Sequence, residues 1–212
     1  HFRADLGITE ATGVSDWVDQ ISGSASLANV TGAQQPILTA AAASNGGPNE
    51  LDYLTFDGSD DDLSGSGVTL TNSSKHVFLV LRQVVWAANQ IFFSSLTASG
   101  DFKQHSSSSP NVAIGADAAT VGPNTDLTMN TWMLADILHD DTANSHIIIN
   151  DGTATTGDPG FATFSAGIIV GSSTGPANAE FDLAELIMYD GEQSGSNLTD
   201  IRTYINDQYN LF

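Results

Sequence analysis

The chain has 212 residues and a formal net charge of −20 at pH 7, with five Lys and Arg against 25 Asp and Glu. This length suffices for one hydrophobic core, and so acidic a surface repels nucleic acid and anionic membranes while it favours solubility in salt. The chain has no cysteine, which excludes disulfides, thiolate metal sites and cysteine nucleophiles.

The apolar runs of the chain do not suggest a membrane span. Apolar runs such as 77–81 and 147–149 are too short to cross a bilayer, and no signal-peptide pattern opens the chain. The first residue is His1 rather than Met, as expected where a leader has been removed or where the chain is a piece of a longer protein. We therefore expect no membrane insertion, and the acidic, Lys-poor composition favours an extracellular location or an exposed position on a particle.

Short segments rich in β-branched and aromatic residues alternate with clusters of Gly, Asn, Asp and Ser along the whole chain. This pattern predicts an all-β protein. The predicted strands span residues 51–56, 76–81, 90–95, 102–105, 112–115, 132–138, 146–149, 167–170 and 181–189. Segment 76–81 is apolar on both faces, which predicts a central strand between two packed layers. No repeat or linker divides the chain, so we expect a single domain over residues 1–212.

One tight turn can be predicted late in the chain. Asn150, Asp151 and Gly152 follow the apolar residues 147–149 and precede a Thr-rich segment. Asn or Asp before Gly supplies the positive φ angles of a tight turn. This segment is therefore predicted to close an antiparallel hairpin.

One helix is expected near the end of the chain, after Ser194. Leu198, Ile201 and Ile205 recur there at helical spacing. Ser194 or Ser196 can cap the free N–H groups of the first turn. We expect the apolar stripe of this helix to pack on the β-structure.

Three motifs occur in order along the chain. The first is RADLG at 3–7 followed by VSDWVDQ at 14–20, the second is FDGSDDDL at 56–63, and the third is AELIMYD at 184–190 followed by QYNL at 208–211. Together they resemble the concanavalin A-like, laminin-G-type jelly-roll modules of phage and bacterial surface proteins. The resemblance covers most of the chain and implies an all-β, two-sheet antiparallel jelly-roll sandwich with a short C-terminal helix.

Members of this family bind sugars in some proteins and are adhesive or architectural in others, and the fold alone does not choose among these roles. The resemblance implies a non-catalytic surface module of a phage capsid, fibre or tail, or of a bacterial surface protein. Its expected partners are a glycan, neighbouring virion or surface-protein subunits, or further copies of itself. The alternatives are a carbohydrate-binding module of a larger secreted enzyme and a laminarinase-type glycoside hydrolase.

The hydrolase alternative depends on Glu180, Asp182 and Glu185, which have the E-x-D-x-x-E spacing of laminarinase-type enzymes. In a regular strand Glu180 and Asp182 share one face and Glu185 points to the other, whereas a β-bulge would bring all three to one face. In those enzymes the motif lies mid-chain, but here it lies near the end. We therefore expect solvated or turn-bonding carboxylates and a chain that is not an enzyme.

The acidic turn formed by Asp57, Asp60, Asp61 and Asp62 is dense in hard oxygen ligands, which calcium accepts from carboxylates and backbone carbonyls. This turn is the candidate calcium site. The alternative is an Asx-type turn in which Asp57 and Asp60 bond backbone amides while the other two carboxylates are solvated.

A second acidic segment, His139-Asp140-Asp141, offers the ligand types of a metal corner. Because no further ligand is evident beside it, we expect a hairpin loop there instead. The five histidines are scattered, and their order predicts no Ser-His-Asp arrangement.

A sugar ring presents an apolar C–H face that stacks on aromatic side chains, while amides and carboxylates bind its hydroxyl groups. Trp86, followed closely by Asn89 and Gln90, is the candidate carbohydrate-binding platform. The alternative is an aromatic side chain packed on its own loop, since Trp is highly buried on average. Trp17 and Trp132 are expected in the core.

Overall fold

The computed structural model describes residues 1–42, 46–97, 100–107, 109–116, 119–140, 142–172 and 177–212. Within these ranges the chain is nearly all β-structure, with one α-helix close to its C-terminal end. The all-β prediction is therefore confirmed. No helix in the described ranges has the length and apolar character needed to cross a membrane.

The elements of the described chain follow one another as a long series of short strands. They are β1 (Phe2–Arg3), β2 (Ile8–Glu10), β3 (Val14–Val18), β4 (Ser26–Ala28), β5 (Ile37–Thr39), β6 (Tyr53–Asp57), β7 (Leu63–Gly65), β8 (Lys75–Gln83), β9 (Ile91–Ser95), β10 (Asp101–Gln104), β11 (Val112–Ala116), β12 (Ala119–Asn124), β13 (Trp132–His139), β14 (Ser145–Ile149), β15 (Thr155–Gly157), β16 (Ile168–Val170), β17 (Glu180–Tyr189) and α1 (Gly195–Tyr209). Every predicted strand is present, with each end displaced by at most two residues. Strands β1 to β5, β7, β12 and β15 are not predicted by the pattern, because most of them are only two or three residues long.

The strands form two sheets that pack face to face. The front sheet has the order β15-β14-β13-β8-β17-β6-β5, with β1 also paired to β17. The back sheet has the order β12-β11-β10-β9-β16-β7-β4-β3-β2. All pairings within the two sheets are antiparallel. The predicted two-sheet antiparallel sandwich is confirmed.

One continuous core fills the space between the two sheets. At its centre the ring of Phe181 stacks on Phe56 with centroids 4.6 Å apart and meets Phe92 edge-on at 5.2 Å. Trp17 is fully buried in this core, as predicted, and its Nε1–H donates to the backbone oxygen of Arg3 at 2.8 Å. Aromatic packing thus ties the two sheets together.

Strand β8 is buried on both faces, as its apolar sequence predicts. Alternate residues belong to the core between the sheets, namely Val77, Leu79 and Leu81. Phe78 and Val80 point the other way, into a second core that is completed by Ile205 and Tyr209 of α1. The helix therefore covers the outer face of the front sheet with its apolar stripe, as expected.

The start of the helix differs from the prediction. Ser194 occupies the N-cap position, but its side chain makes no capping hydrogen bond. The chain enters the helix through Gly195, whose φ is +57°, so the entry does not have the usual extended-to-helical form in which a cap hydroxyl lies over the first turn. At the other end Asn210 adopts a left-handed conformation and its N–H donates to the oxygen of Asn206 at 2.8 Å.

Trp132 does not lie between the sheets, contrary to the prediction. It begins β13 on the strand face opposite Met133, so it is half-buried on the outer face of the front sheet. Its Nε1–H donates to the backbone oxygen of Gly46 at 2.6 Å, and its ring meets Tyr53 edge-on at 5.3 Å. The guanidinium group of Arg82 lies 5.0 Å from the centre of the ring.

The predicted hairpin joins β14 to β15, which pair antiparallel. Its turn is closed by a hydrogen bond of 2.9 Å from the N–H of Gly152 to the oxygen of Ile149. Asn150 supplies the positive φ angle, at +51°.

Truncating Phe181 to Ala tests the aromatic packing between the sheets. Because this side chain is fully buried, we expect the free energy of unfolding to fall by about 3–5 kcal/mol. Urea denaturation measures this change. Val30→Ala is the matched control, since Val30 is 98% exposed and its truncation should change stability by less than about 0.5 kcal/mol. Similar losses in the two variants would contradict this packing.

Candidate functional site

The acidic turn and the Trp86 loop leave the front sheet side by side at one end of the sandwich. Strand β6 ends at Asp57, which is paired with Glu180 at the beginning of β17. Strand β8 ends beside them, since Gln83 is paired with Phe181. We call this end the acidic rim and define it as residues 57–62, residues 84–90 and Glu180.

Glu180 contacts both segments of the acidic rim. Its backbone oxygen accepts hydrogen bonds from the N–H groups of Val84 at 3.2 Å and Val85 at 3.3 Å. On the other side, a Cβ atom added to Gly58 would lie 2.8 Å from the Cβ of Glu180. Gly58 also has a φ of +72°, so this close approach and the turn both need glycine.

The acidic turn contains Asx-type hydrogen bonds at Asp57, as the sequence suggested, but the second acceptor is the buried Asp61 and not Asp60. The Oδ1 atom of Asp57 accepts from the N–H groups of Ser59 at 2.8 Å and Asp60 at 3.4 Å. The Oδ2 atom of Asp61 accepts from the N–H of Asp57 at 2.9 Å. Burial, with the neighbouring carboxylates, raises the pKa of Asp61 to about 6.

Three of the four predicted metal ligands come together. Asp57, Asp60 and Asp61 each place one carboxylate oxygen within 4.8 Å of the others. Oxygens that surround one calcium ion at about 2.3–2.6 Å can have such separations. Asp62 is not part of this group: its backbone oxygen accepts from the side chain of Asn29 at 3.2 Å, and burial raises the pKa of its carboxyl.

The loop that carries Trp86 is built on a buried glutamine. Gln104 of β10 has no exposed surface. Its Nε2 donates to the oxygen of Val85 at 2.6 Å, and its Oε1 accepts from the N–H of Ala87 at 2.8 Å. Its backbone oxygen accepts from the N–H of Asn89 at 3.2 Å. The side chain and the backbone oxygen of the buried Gln104 therefore hold the loop in place.

The three residues of the predicted sugar platform share this loop. Trp86 and Gln90 are half-buried, and Asn89 is exposed with a φ of +64°. The Nε1 atom of Trp86 is buried and has no hydrogen-bond partner among the described residues. The three residues thus share one loop, and their role as a platform stays a prediction.

Strand β17 contains the β-bulge on which the carboxylate motif depends. Leu183 is paired with Leu81 and Glu185 with Val80, so Ala184 is the extra residue. The bulge turns Glu185 to the outer face of the front sheet, the face that already carries Glu180 and Asp182, because Phe181, Leu183 and Leu186 face the core between the sheets. Of the two arrangements that the sequence left open, the structure has the bulged one, and Glu185 does not point to the opposite face as it would in a regular strand.

Two of these carboxylates are neither solvated nor turn-bonding, which corrects the expectation. Asp182 is 2% exposed and accepts from Nε of Arg82 at 2.8 Å and from the hydroxyl of Thr55 at 2.7 Å. Glu185 is 1% exposed and accepts from the hydroxyl of Tyr204 in α1 at 2.9 Å. The helix layer, which the spacing of the motif does not reveal, buries Glu185 and separates it from Glu180 at the rim.

Burial also changes the titration of Glu185. It raises the pKa of this carboxyl to about 7, although the hydroxyl of Tyr204 and the nearby Arg3 favour the ionised form. The imidazole Nε2 of His1 makes a very short contact with Oε1 of the same carboxyl. Oε2 is buried and has no hydrogen-bond partner among the described residues.

A buried ion network that the sequence did not predict lies under α1. Asp136 of β13 is fully buried, and its Oδ2 accepts from Arg202 of the helix at 2.8 Å. Its Oδ1 lies 2.7 Å from Nε2 of His76 and 3.7 Å from Nε2 of His146. Although burial raises the pKa of Asp136, the nearby ring of His146 and the hydrogen bond with His76 hold this pKa well below its usual range.

The hydrogen bonds of His76 indicate that this network docks the helix on the sheet and favour this role over metal binding. The N–H of Gln193 donates to Nδ1 of His76 at 3.0 Å, so Nδ1 is unprotonated and the proton lies on Nε2, facing Asp136. A metal ion needs an unprotonated ring nitrogen. Arg202 meanwhile occupies the other carboxylate oxygen.

The segment at His139 and Asp140 forms the hairpin loop that was expected. Asp140 accepts from the hydroxyls of Ser74 at 3.0 Å and Thr142 at 2.5 Å. His139 is buried, and burial with the nearby Lys75 lowers its pKa to about 3. The remaining residue of this segment, Asp141, lies outside the described residues.

No protein-family model matches the chain, and no curated protein matches its sequence. Solved structures resemble its fold. Domain 4 of AbnA, a GH43 extracellular arabinanase from Geobacillus stearothermophilus, in complex with arabinotriose, has a TM-score of 0.60 at 13% identity and covers 79% of this chain and 81% of that one. The binding domain of Paraclostridial Mosquitocidal Protein 1 has a TM-score of 0.64 at 10% identity and covers 94% and 51%.

A GH54 α-L-arabinofuranosidase soaked with 4-nitrophenyl α-L-arabinofuranoside has a TM-score of 0.63 at 13% identity. It covers 92% of this chain and 51% of its own, so the chain spans about half the length of this protein and of the mosquitocidal protein's binding domain. At such identities the likeness shows the fold alone, a β-sandwich.

Replacing Glu185 with Gln tests the buried carboxyl. Because its pKa is about 7 when folded against 4.5 ordinarily, the folded state binds the proton more tightly, and the stability of the wild type falls as pH rises from about 4.5 to above 7. Gln does not titrate. We expect Glu185→Gln to gain on the order of 3 kcal/mol relative to the wild type between about pH 4.5 and pH 8.

Chemical denaturation across this pH range measures the difference in unfolding free energy. Glu192→Gln is the control, because it removes the same charge from an exposed side chain. A difference between Glu185→Gln and the wild type that does not vary with pH would contradict the raised pKa.

Proposed function

We propose that this chain is a non-catalytic carbohydrate-binding module and that the acidic rim is its glycan site. The observation that carries the proposal is the position of the Trp86 loop, which is held rigid by Gln104 and lies next to a cluster of carboxylates. Aromatic rings and fixed polar groups are the two components that sugar recognition requires. The arabinanase domain of similar fold, crystallised with arabinotriose, supports a glycan as the partner.

The roles of the individual side chains follow from their chemistry. The indole of Trp86 stacks on the apolar face of a sugar ring, and the amides of Asn89 and Gln90 bind hydroxyl groups. Asp57 and Asp60 are exposed acceptors for further hydroxyl groups. Because the loop is already ordered by Gln104, little conformational entropy is lost on binding.

Calcium completes this proposal. Asp57, Asp60 and Asp61 supply three oxygens within 4.8 Å of one another, a set that suits a hard cation. Bound calcium would lower the pKa of Asp61 by removing the mutual repulsion of the carboxylates. It would also offer open coordination positions to sugar hydroxyl groups at the rim.

The proposal that the chain is not an enzyme rests on Asp182 and Glu185. Asp182 is paired with Arg82, and Glu185 is buried beneath α1. Glycoside hydrolysis needs two carboxyl groups that flank one sugar bond. Of the three carboxylates in the motif, only Glu180 lies at the rim.

A second candidate function is an architectural module of a virion or bacterial surface. It is favoured by strand β5, which lies at the edge of the front sheet with Ile37 about half exposed. Such an edge can pair with a strand of a neighbouring subunit or of another copy. Either function places the chain outside the cell or on a virion.

Glycan-array binding with and without calcium tests the proposed function, with arabino-oligosaccharides among the probes. We expect calcium-dependent binding by the wild type and a loss of about tenfold or more in affinity for Trp86→Ala, since a stacked aromatic ring contributes on the order of 1–2 kcal/mol. Val30→Ala is the control, because Val30 is an exposed apolar side chain outside the acidic rim. No binding to any glycan of a broad array, together with oligomers in solution, would favour the architectural role. Equal binding by Trp86→Ala would contradict the site.

A further inference from the structure

A cavity of about 730 Å³ lies at the far end of β17 from the acidic rim. It lies among the last residues of β17, the first half of α1, the segment after β7 and the turn after β3. Small-molecule sites in proteins have volumes of about 300–1,000 Å³. The size of the cavity therefore suits a small organic ligand, at a place distinct from the proposed glycan site.

Most of the cavity wall is apolar. The side chains that form it include Phe2, Val68, Leu70, Ile187, Met188 and Ile201. The remaining wall includes the rings of Tyr189 and Tyr204. A ligand that fills this space must therefore bring an apolar body.

The cavity is lined by two carboxylates and by one basic residue, His1. Asp19 and Asp200 line it from two different elements, and no Lys or Arg of the described chain lines it. Asp19 accepts from the N–H of Ser22 at 2.8 Å and from the hydroxyl of the same residue at 2.6 Å, so Asp200, which is exposed on α1, is the carboxylate left to face a ligand. With a net charge of −20 for the whole chain, an anionic ligand would be repelled.

The aromatic wall is held in place from behind. The hydroxyl of Tyr204 donates to Glu185 at 2.9 Å, and the ring of His1 meets the ring of Tyr204 edge-on at 6.1 Å. Tyr189 ends β17 and packs edge-on against Phe78 at 6.3 Å. Aromatic rings fixed in this way attract cations to their faces.

We propose that this cavity binds a small organic cation, an ammonium group carried on an apolar body. The apolar wall takes the body of the ligand. The tyrosine rings and Asp200 take the charge. A neutral ligand of the same shape lacks the charge that interacts with the tyrosine rings and Asp200, and an anionic ligand is repelled by Asp200.

A matched set of three probes tests the charge preference by isothermal titration calorimetry on the intact chain. Phenethylammonium, 2-phenylethanol and phenylacetate have bodies of similar size and differ in charge. We expect phenethylammonium to bind roughly five- to tenfold more tightly than 2-phenylethanol, with phenylacetate weakest. This preference should shrink in about 1 M salt.

Two substitutions assign the preference to the cavity. Asp200→Asn and Tyr189→Leu should each weaken phenethylammonium about two- to fivefold and leave 2-phenylethanol unchanged or nearly so. Asp207→Asn is the control: it removes the same charge from an exposed side chain of the same helix that does not line this cavity. Equal affinity for the three probes, no binding of any of them, or equal effects of the two Asp→Asn variants would overturn the proposal.

Discussion

The structure depends on two central strands, β8 and β17, that are buried on both faces. One face of each strand packs against the back sheet, and the other packs under α1. Two strands with apolar side chains on both faces need a layer on each side, so the C-terminal helix is required for the sheet to be stable. The β-bulge at Ala184 is part of the same requirement, because without it the register would turn Glu185 into the apolar core between the sheets.

Each of the few basic residues that the structure describes is engaged by an acidic or carbonyl group. Arg82 is paired with the buried Asp182, and Arg202 with the buried Asp136. Arg3 and Lys103 are paired with Asp5 and Asp101, one partner each. Lys75 is buried and donates to backbone oxygens of Ser73 and Ala162. All five basic side chains are thus engaged, and buried carboxylates require partners of this kind.

What remains at the surface is acidic, and this affects both proposed sites. The rim has carboxylates close enough to hold a hard cation, and the cavity has Asp200 facing its apolar wall. Neither offers an Arg or Lys to an anionic ligand. Neutral sugars at one end and organic cations at the other are therefore the ligands that suit the charge distribution.

The longer strands and the helix could be predicted because their apolar periodicity is visible in the chain itself. The both-face burial of β8 followed from the unbroken apolar run at 76–81, and the core position of Trp17 was correct. The prediction for Trp132 was wrong because side chains alternate between the two faces of β13. Which of them face the core is defined only by the pairing of β13 with β8. The short strands carry too few residues to show a period.

The candidate site could be predicted only as separate pieces. The acidic turn and the Trp86 loop are distant in sequence, and the pairing of Asp57 with Glu180 is what brings them together. The network around Asp136 joins His76, His146 and Arg202 from three different elements, so no local motif marks it. The acidic rim and the network around Asp136 are therefore assembled by strand pairing between distant segments and by the docking of the helix, and local sequence patterns do not reveal them.

Hydrogen–deuterium exchange of the intact chain with and without a bound glycan tests the position of the glycan site most directly, with arabinotriose as the first probe. We expect protection confined to residues 57–62 and 84–90 at the acidic rim, with no change at residues 187–204 around the cavity. Protection on the outer face of the back sheet, or around the cavity alone, would contradict the placement of the glycan site at the rim.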